Sequence, residues 1–223
     1  MIPLRDTAKS RFFPAVTLAI IVANVMMFLY ETSLSSEGLQ NLILTRALIP
    51  ARLWYAELSG GQRLEAYLSI PTSMFLHGGW LHVLGNMWML WIFGDNVEDR
   101  LGRGRFLVTY FLWGALAAGA HVAIDPRSEI PTLGASGAVA GVLGAYFVFF
   151  PRSRVLTLIP LFILIYFVEV PAAIFLGIWF LVELARGSGV LFGGSASQIA
   201  FFAHIGGFVS GVATAWLWKH RPG

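Results

Sequence analysis

Apolar residues run in long blocks along this chain, and polar residues are confined to short segments between them. A helix needs about 20 predominantly apolar residues, within a range of roughly 17 to 25, to cross a bilayer. Blocks at 14–30, 81–97, 106–124, 136–150, 170–184 and 199–218 approach or meet that length. The pattern predicts an all-α membrane protein, a bundle of six transmembrane helices. A further apolar stretch, 155–167, contains Pro160 and is short for a span. It is expected as an interfacial or re-entrant lead into the fifth span, with a seven-span threading as the alternative. The first loop, 31–80, is more than a linker: 39–54 mixes apolar and polar residues and predicts a partly embedded helix. The stretch 187–198 is rich in Gly and Ser and predicts a mobile cover before the sixth span.

Composition strengthens this picture. The chain is 57% hydrophobic and 12% charged, against about 25% charged for an ordinary soluble domain. Its Lys and Arg residues orient the spans. With the N-terminus in the cytoplasm, the inner segments hold Arg5, Lys9, Arg11, Arg100, Arg103, Arg105, Arg152, Arg154, Lys219 and Arg221. The outer ones hold Arg46, Arg52, Arg63, Arg127 and Arg186. Both termini are therefore expected inside, with 1–13 a cytoplasmic segment, 14–218 the membrane domain and 219–223 a cytoplasmic tail. Arg5, Lys9 and Arg11 precede the first apolar block without a clear cleavage site, which reads as an uncleaved anchor. The net charge of +3 sits in small clusters beside apolar blocks, so the lipid bilayer is the expected partner and nucleic acid is not. The absence of cysteine excludes disulfides and thiolate chemistry.

Polar side chains inside spans are costly and need partners. His82 and Asn86 in the second span, Ser136 in the fourth and His204 in the sixth all fall near the outer ends of helices running in one direction. They are expected at one depth. His82 and Asn86, spaced i, i+4, share a helix face. Small residues at Ser136, Ala140 and Gly144, and at Gly207 and Gly211, form rows that let membrane helices approach closely. Such an approach brings the Ser136 hydroxyl to the His204 imidazole, a base suited to activating it. Asn86, His82 and the backbone N–H of Ser136 are candidate donors to a developing oxyanion. The fourth span is short, about 15 residues or roughly 22 Å, so its outer end is expected at the floor of a wet cavity.

These motifs, HGGWLHVLGN with His77, His82 and Asn86, GASG around Ser136 and AHIGG around His204, resemble those of bacterial rhomboid proteases, a family of intramembrane serine proteases. GDNVEDRLG and GAYFVFFPRSRV are also similar. The resemblance implies a Ser–His dyad, with Ser136 as nucleophile, His204 as general base and then acid, and His82 and Asn86 at the oxyanion. It also implies transmembrane protein substrates cut near their outer ends, no cofactor, and a bacterial inner-membrane location; with no HExxH motif and no acidic partner at their depth, the histidines are not expected to bind metal. Two departures stand out. Ala140 occupies the position where some members carry a tyrosine against the catalytic histidine, and Arg52 with Trp54 only loosely matches a Trp-Arg pair. His77 is expected to tie the first loop to the second span, and His121 to be interfacial. Asp95, Glu98 and Asp99 are expected to fix a helix end or to pair with the Arg100–Arg105 cluster. Glu183 is the best acidic candidate for a third member, but the expectation is a dyad. The competing readings are a non-catalytic member that binds membrane clients, and a transporter, for which no convincing midplane charge pair is present.

Overall fold

The computed structural model describes residues 1–59, 63–161, 164–191 and 200–219. In chain order the elements are β1 (Ile2–Asp6), α1 (Ala15–Ser33), α2 (Ser36–Arg46), α3 (Pro50–Ser59), α4 (Arg63–Ser73), α5 (Trp80–Leu101) and α6 (Arg103–Ile124). They continue with α7 (Ser136–Phe149), β2 (Arg154–Leu161), β3 (Leu164–Pro171), α8 (Ala172–Leu191) and α9 (Ala200–Trp218). Each predicted span overlaps one of these helices, although 170–171 belong to β3. Ala15–Ser33, Arg103–Ile124 and Phe201–Trp218 are long and apolar enough to cross a membrane, and Ser136–Phe149 and Ala172–Ala185 are shorter apolar helices. Of the expected Gly/Ser cover, 192–198 lies outside the described residues, as does most of the 219–223 tail.

α7 is the centre of the bundle, buried along nearly all its length between α5, α6 and α9. Its glycines explain how. A Cβ at Gly207 would overlap the carbonyl oxygen of Gly137, one at Gly211 that of Gly141, and one at Gly144 that of Phe208. α7 and α9 therefore touch backbone to backbone, the packing that small-residue rows permit. Gly141 also gives room to Trp113 of α6, whose Nε1 donates to Thr214 Oγ1 of α9 at 2.8 Å.

α1 and α5 run antiparallel and are joined at both ends. Near the start of α1, the Glu98 carboxylate accepts from Val16 N, Thr17 N and Thr17 Oγ1 at 3.0, 2.7 and 2.8 Å. Near its end, the Glu31 carboxylate accepts from His77 N at 3.2 Å. Of the acidic residues at the C-terminal end of α5, Glu98 thus fixes a helix end, as expected, although it is the end of another helix. Asp99 pairs with Arg11 at 3.1 Å, outside the 100–105 cluster.

The expectation of an all-α chain is corrected in one region. β1, β2 and β3 form an antiparallel sheet in that order. The interfacial lead expected at 155–167 is a hairpin strand pair, Val155 facing Val170 and Leu158 facing Phe167. Val, Ile, Thr, Tyr and Phe predominate there, and such residues fit a pleated surface. Pro160 lies past Leu158, where β1 pairing ends, so its missing N–H costs no bond to β1. An unbroken apolar run does not by itself distinguish strand from helix. The N-terminal segment packs along α5: Trp88 Nε1 donates to Pro3 O at 2.6 Å, and Asn96 Nδ2 to Asp6 Oδ2 at 3.1 Å. Burial pushes the Asp6 carboxyl upward, partly offset by the bond from the Tyr146 hydroxyl.

Among the described residues, the first loop holds three short helices. Leu58, Leu64, Tyr55 and Tyr67 stay exposed on them, an apolar surface of the kind an embedded loop presents. Arg52 donates to the Leu44 and Thr45 carbonyls, capping the end of α2. Such capping by a cation satisfies the last carbonyls of a helix.

Candidate active site

Ser136 is the first residue of α7, placed by the turn Leu133–Ala135. Gly134 makes that turn with φ of +121°, a conformation L side chains rarely adopt. It is also where His82 comes closest: a Cβ on Gly134 would lie 2.7 Å from His82 Cε1 and Nε2. The turn is pinned by Gly134 N donating to Ser73 O at 2.9 Å, and by the paired bonds between Leu48 and Thr132. Val139 N makes the bond to Ala135 O that opens the helix. The earlier N–H groups, including that of Ser136, have no partner within the helix.

His204 sits one turn inside α9. Its Nε2 is 2.8 Å from Ser136 Oγ, and its Nδ1 is 2.8 Å from Glu183 Oε2. One imidazole thus links a hydroxyl on α7 to a carboxylate on α8. Trp179, one turn before Glu183, lies near the same ring, with centroids 6.2 Å apart. Ala140 is fully buried, with Gly207 packed beside it. The space a tyrosine would need at Ala140 is filled by α9 itself. The support for His204 comes instead from α8, through Glu183 and Trp179.

Ser136, His204 and His82 line one cavity of about 140 Å³, together with Met74, Gly114 and Ala117. Asn86 lies just behind it. Its Nδ2 donates to His77 Nε2 at 3.1 Å, and sits 3.7 Å from the Cβ position of Gly134. The amide nitrogen carries a second hydrogen, so pairing with His77 does not exhaust it. Gly78 N makes a long contact of 3.5 Å to His82 Nδ1. With Nδ1 accepting, the neutral His82 ring carries its proton on Nε2, toward Gly134. All four candidates from the sequence thus gather around one turn.

His77 ties the first loop to α5, as expected, and also to α1. Its Nδ1 reaches Phe75 O at 3.2 Å, while its Nε2 faces the Asn86 amide. Burial, reinforced by neighbouring His82, pushes the His77 imidazole down to about 4. The neutral ring is also the one whose tautomer matches both contacts. His121 lies in the last turn of α6. It is buried, lines the cavity and meets Thr132 Oγ1 at 2.8 Å. No cluster able to hold a metal occurs among the described residues.

The Rhomboid domain family model matches residues 65–221. Rhomboid protein 1, mitochondrial, of Saccharomyces cerevisiae is 31% identical over 158 residues, 67% of this chain and 41% of that protein. Rhomboid-like protein 11, chloroplastic, of Arabidopsis thaliana is 28% identical over 162 residues, 70% of this chain and 54% of that protein. Rhomboid protease GluP of Bacillus subtilis is 32% identical over 137 residues, 59% of this chain and 24% of that protein. The chain thus spans between 24% and 54% of the length of these relatives.

Proposed function

The chain belongs to the rhomboid family, and on that premise we propose that it is an intramembrane serine endopeptidase acting on transmembrane protein substrates. The observation that carries this reading is the 2.8 Å contact between His204 Nε2 and Ser136 Oγ. That geometry suits transfer of the hydroxyl proton to Nε2 as Oγ attacks a peptide carbonyl. The tetrahedral intermediate bears its charge on the former carbonyl oxygen. His82 Nε2–H, the free Asn86 N–H and the Ser136 backbone N–H are its donors, each worth about 3 to 4 kcal/mol of barrier. His204 then gives the proton to the leaving amine. Water, deprotonated by the same nitrogen, hydrolyses the acyl-enzyme and restores Ser136. No step calls on a cofactor.

The proposed setting is a bacterial inner membrane, crossed by α1, α5, α6, α7, α8 and α9, with both termini cytoplasmic. α7, 14 residues long, rises about 21 Å against a hydrocarbon core of about 30 Å. Ser136 at its outer end therefore lies below the surface, at a depth where substrate helices enter from the bilayer.

A serine-reactive fluorophosphonate tests this reading. The folded wild type labels and cleaves a model transmembrane substrate, while Ser136→Ala neither labels nor cleaves and His204→Ala loses turnover. Asn86→Ala retains cleavage at a rate lowered by about 10²-fold. A folded wild type that fails to label favours the client-binding alternative, and turnover by Ser136→Ala removes the assignment of the nucleophile.

A further inference from the structure

We propose that Glu183 is a positioning residue for His204, so that the site works as a Ser136–His204–Glu183 triad; this rests on the protease reading above. The family resemblance implies two members, and the geometry supplies a third. Both ring nitrogens are engaged at 2.8 Å, Nε2 by Ser136 Oγ and Nδ1 by Glu183 Oε2. For Nε2 to accept the serine proton, the neutral ring must carry its own proton on Nδ1. An ionised carboxylate accepts hydrogen bonds and donates none, so Glu183 selects that tautomer. It also faces the imidazolium that forms as the proton arrives, stabilising charge that is absent in the resting pair.

The surroundings fit a carboxylate held for this purpose. Glu183 is buried, its side chain 6% exposed, on a helix that is otherwise apolar from Ala172 to Leu184. An ionisable group at such a position is costly without a partner. Leu181 and Val182 are exposed on the same helix, whereas Glu183 turns inward with Trp179, one turn earlier, against the His204 ring. With Ala140 too small to brace the imidazole, α8 provides both the packing surface and the acceptor. During turnover no proton leaves the Nδ1–Oε2 bond: the serine proton moves to Nε2 and on to the leaving amine.

The test uses the full chain in detergent or liposomes with a transmembrane reporter substrate. In Glu183→Gln, an amide N–H facing Nδ1 favours the proton on Nε2, the tautomer unable to accept from serine. The expected result is a fall in kcat of about 10²- to 10⁴-fold, with KM within about threefold. Nitrogen NMR of labelled His204 is expected to report the proton on Nδ1 in the wild type and on Nε2 in the variant. Glu183→Asp, which keeps the acceptor, restores at least part of the rate and the wild-type tautomer. A kcat within threefold of wild type in Glu183→Gln overturns the proposal, as does a Glu183→Asp variant no faster than Glu183→Gln. A wild-type spectrum with the proton on Nε2 overturns it without any variant. A folded wild type that neither labels nor cleaves would instead defeat the protease reading and leave the tautomer result intact.

Discussion

At the scale of single residues, His77 connects folding to chemistry. Its neutral ring donates from Nδ1 to Phe75 O and accepts at Nε2 from Asn86. Protonation would set two donors against each other at Asn86 and place a charge in a buried site. In the unfolded chain His77 takes up its proton near 6.5, but in the folded protein only near about 4. The unfolded state therefore binds more protons between those values, and stability rises with pH across that window. Its contribution is complete above about 6.5, is lost on acidification toward 4, and stays level below. The thermal midpoint in detergent is expected to fall between pH 6.5 and 4, with a shallower fall in His77→Gln. Equal slopes in the two proteins would place the effect elsewhere.

At the scale of elements, helix ends explain much of the arrangement. α1 begins after Pro14 with no side-chain cap of its own. The first N–H groups of a helix need acceptors, and the buried Glu98 supplies them from α5 while Arg103 stands 3.9 Å away. Glu98→Gln replaces one accepting oxygen by a donor against N–H groups. It is expected to lower stability by about 1 to 3 kcal/mol while leaving the rate of the folded protein near wild type, since Glu98 lies at the opposite end of α5 from His82. An unchanged unfolding free energy in detergent titration would show that the cap contributes nothing. The α7–α9 contact works differently. No side chain intervenes at Gly207 and Gly211, so the distance from Ser136 to His204 is set by backbone contact.

At the scale of the whole molecule, orientation is the testable property. The chain has no cysteine, so single cysteines report it without background. Cysteine at Arg152, between α7 and β2, is expected to react with an impermeant maleimide only after cells are opened. Cysteine at Arg127, between α6 and α7, is expected to react in intact cells. The reverse pattern would invert the threading and put Ser136 near the inner face. The sheet adds another constraint, because β1 joins the N-terminal segment to both α5 and the β2–β3 hairpin. The segment before the first span is thereby part of the folded body.

Much of this was legible in the sequence because it is local. Apolar blocks of fixed length give the helices, i, i+4 spacing gives the shared face of His82 and Asn86, and rows of small residues give the α7–α9 contact that joins Ser136 to His204. The sheet was not legible, because 155–168 is apolar but for Thr157 and strand pairing with residues 2–6 depends on contacts some 150 residues apart in sequence. Nor was the partner of His204. Glu183 stands out in the sequence as a lone acid in an apolar helix, but whether it meets lipid, water or imidazole depends on how α8 is rotated against α9. Packing of whole helices decides that rotation, so only the tertiary structure brings carboxylate, imidazole and hydroxyl into line.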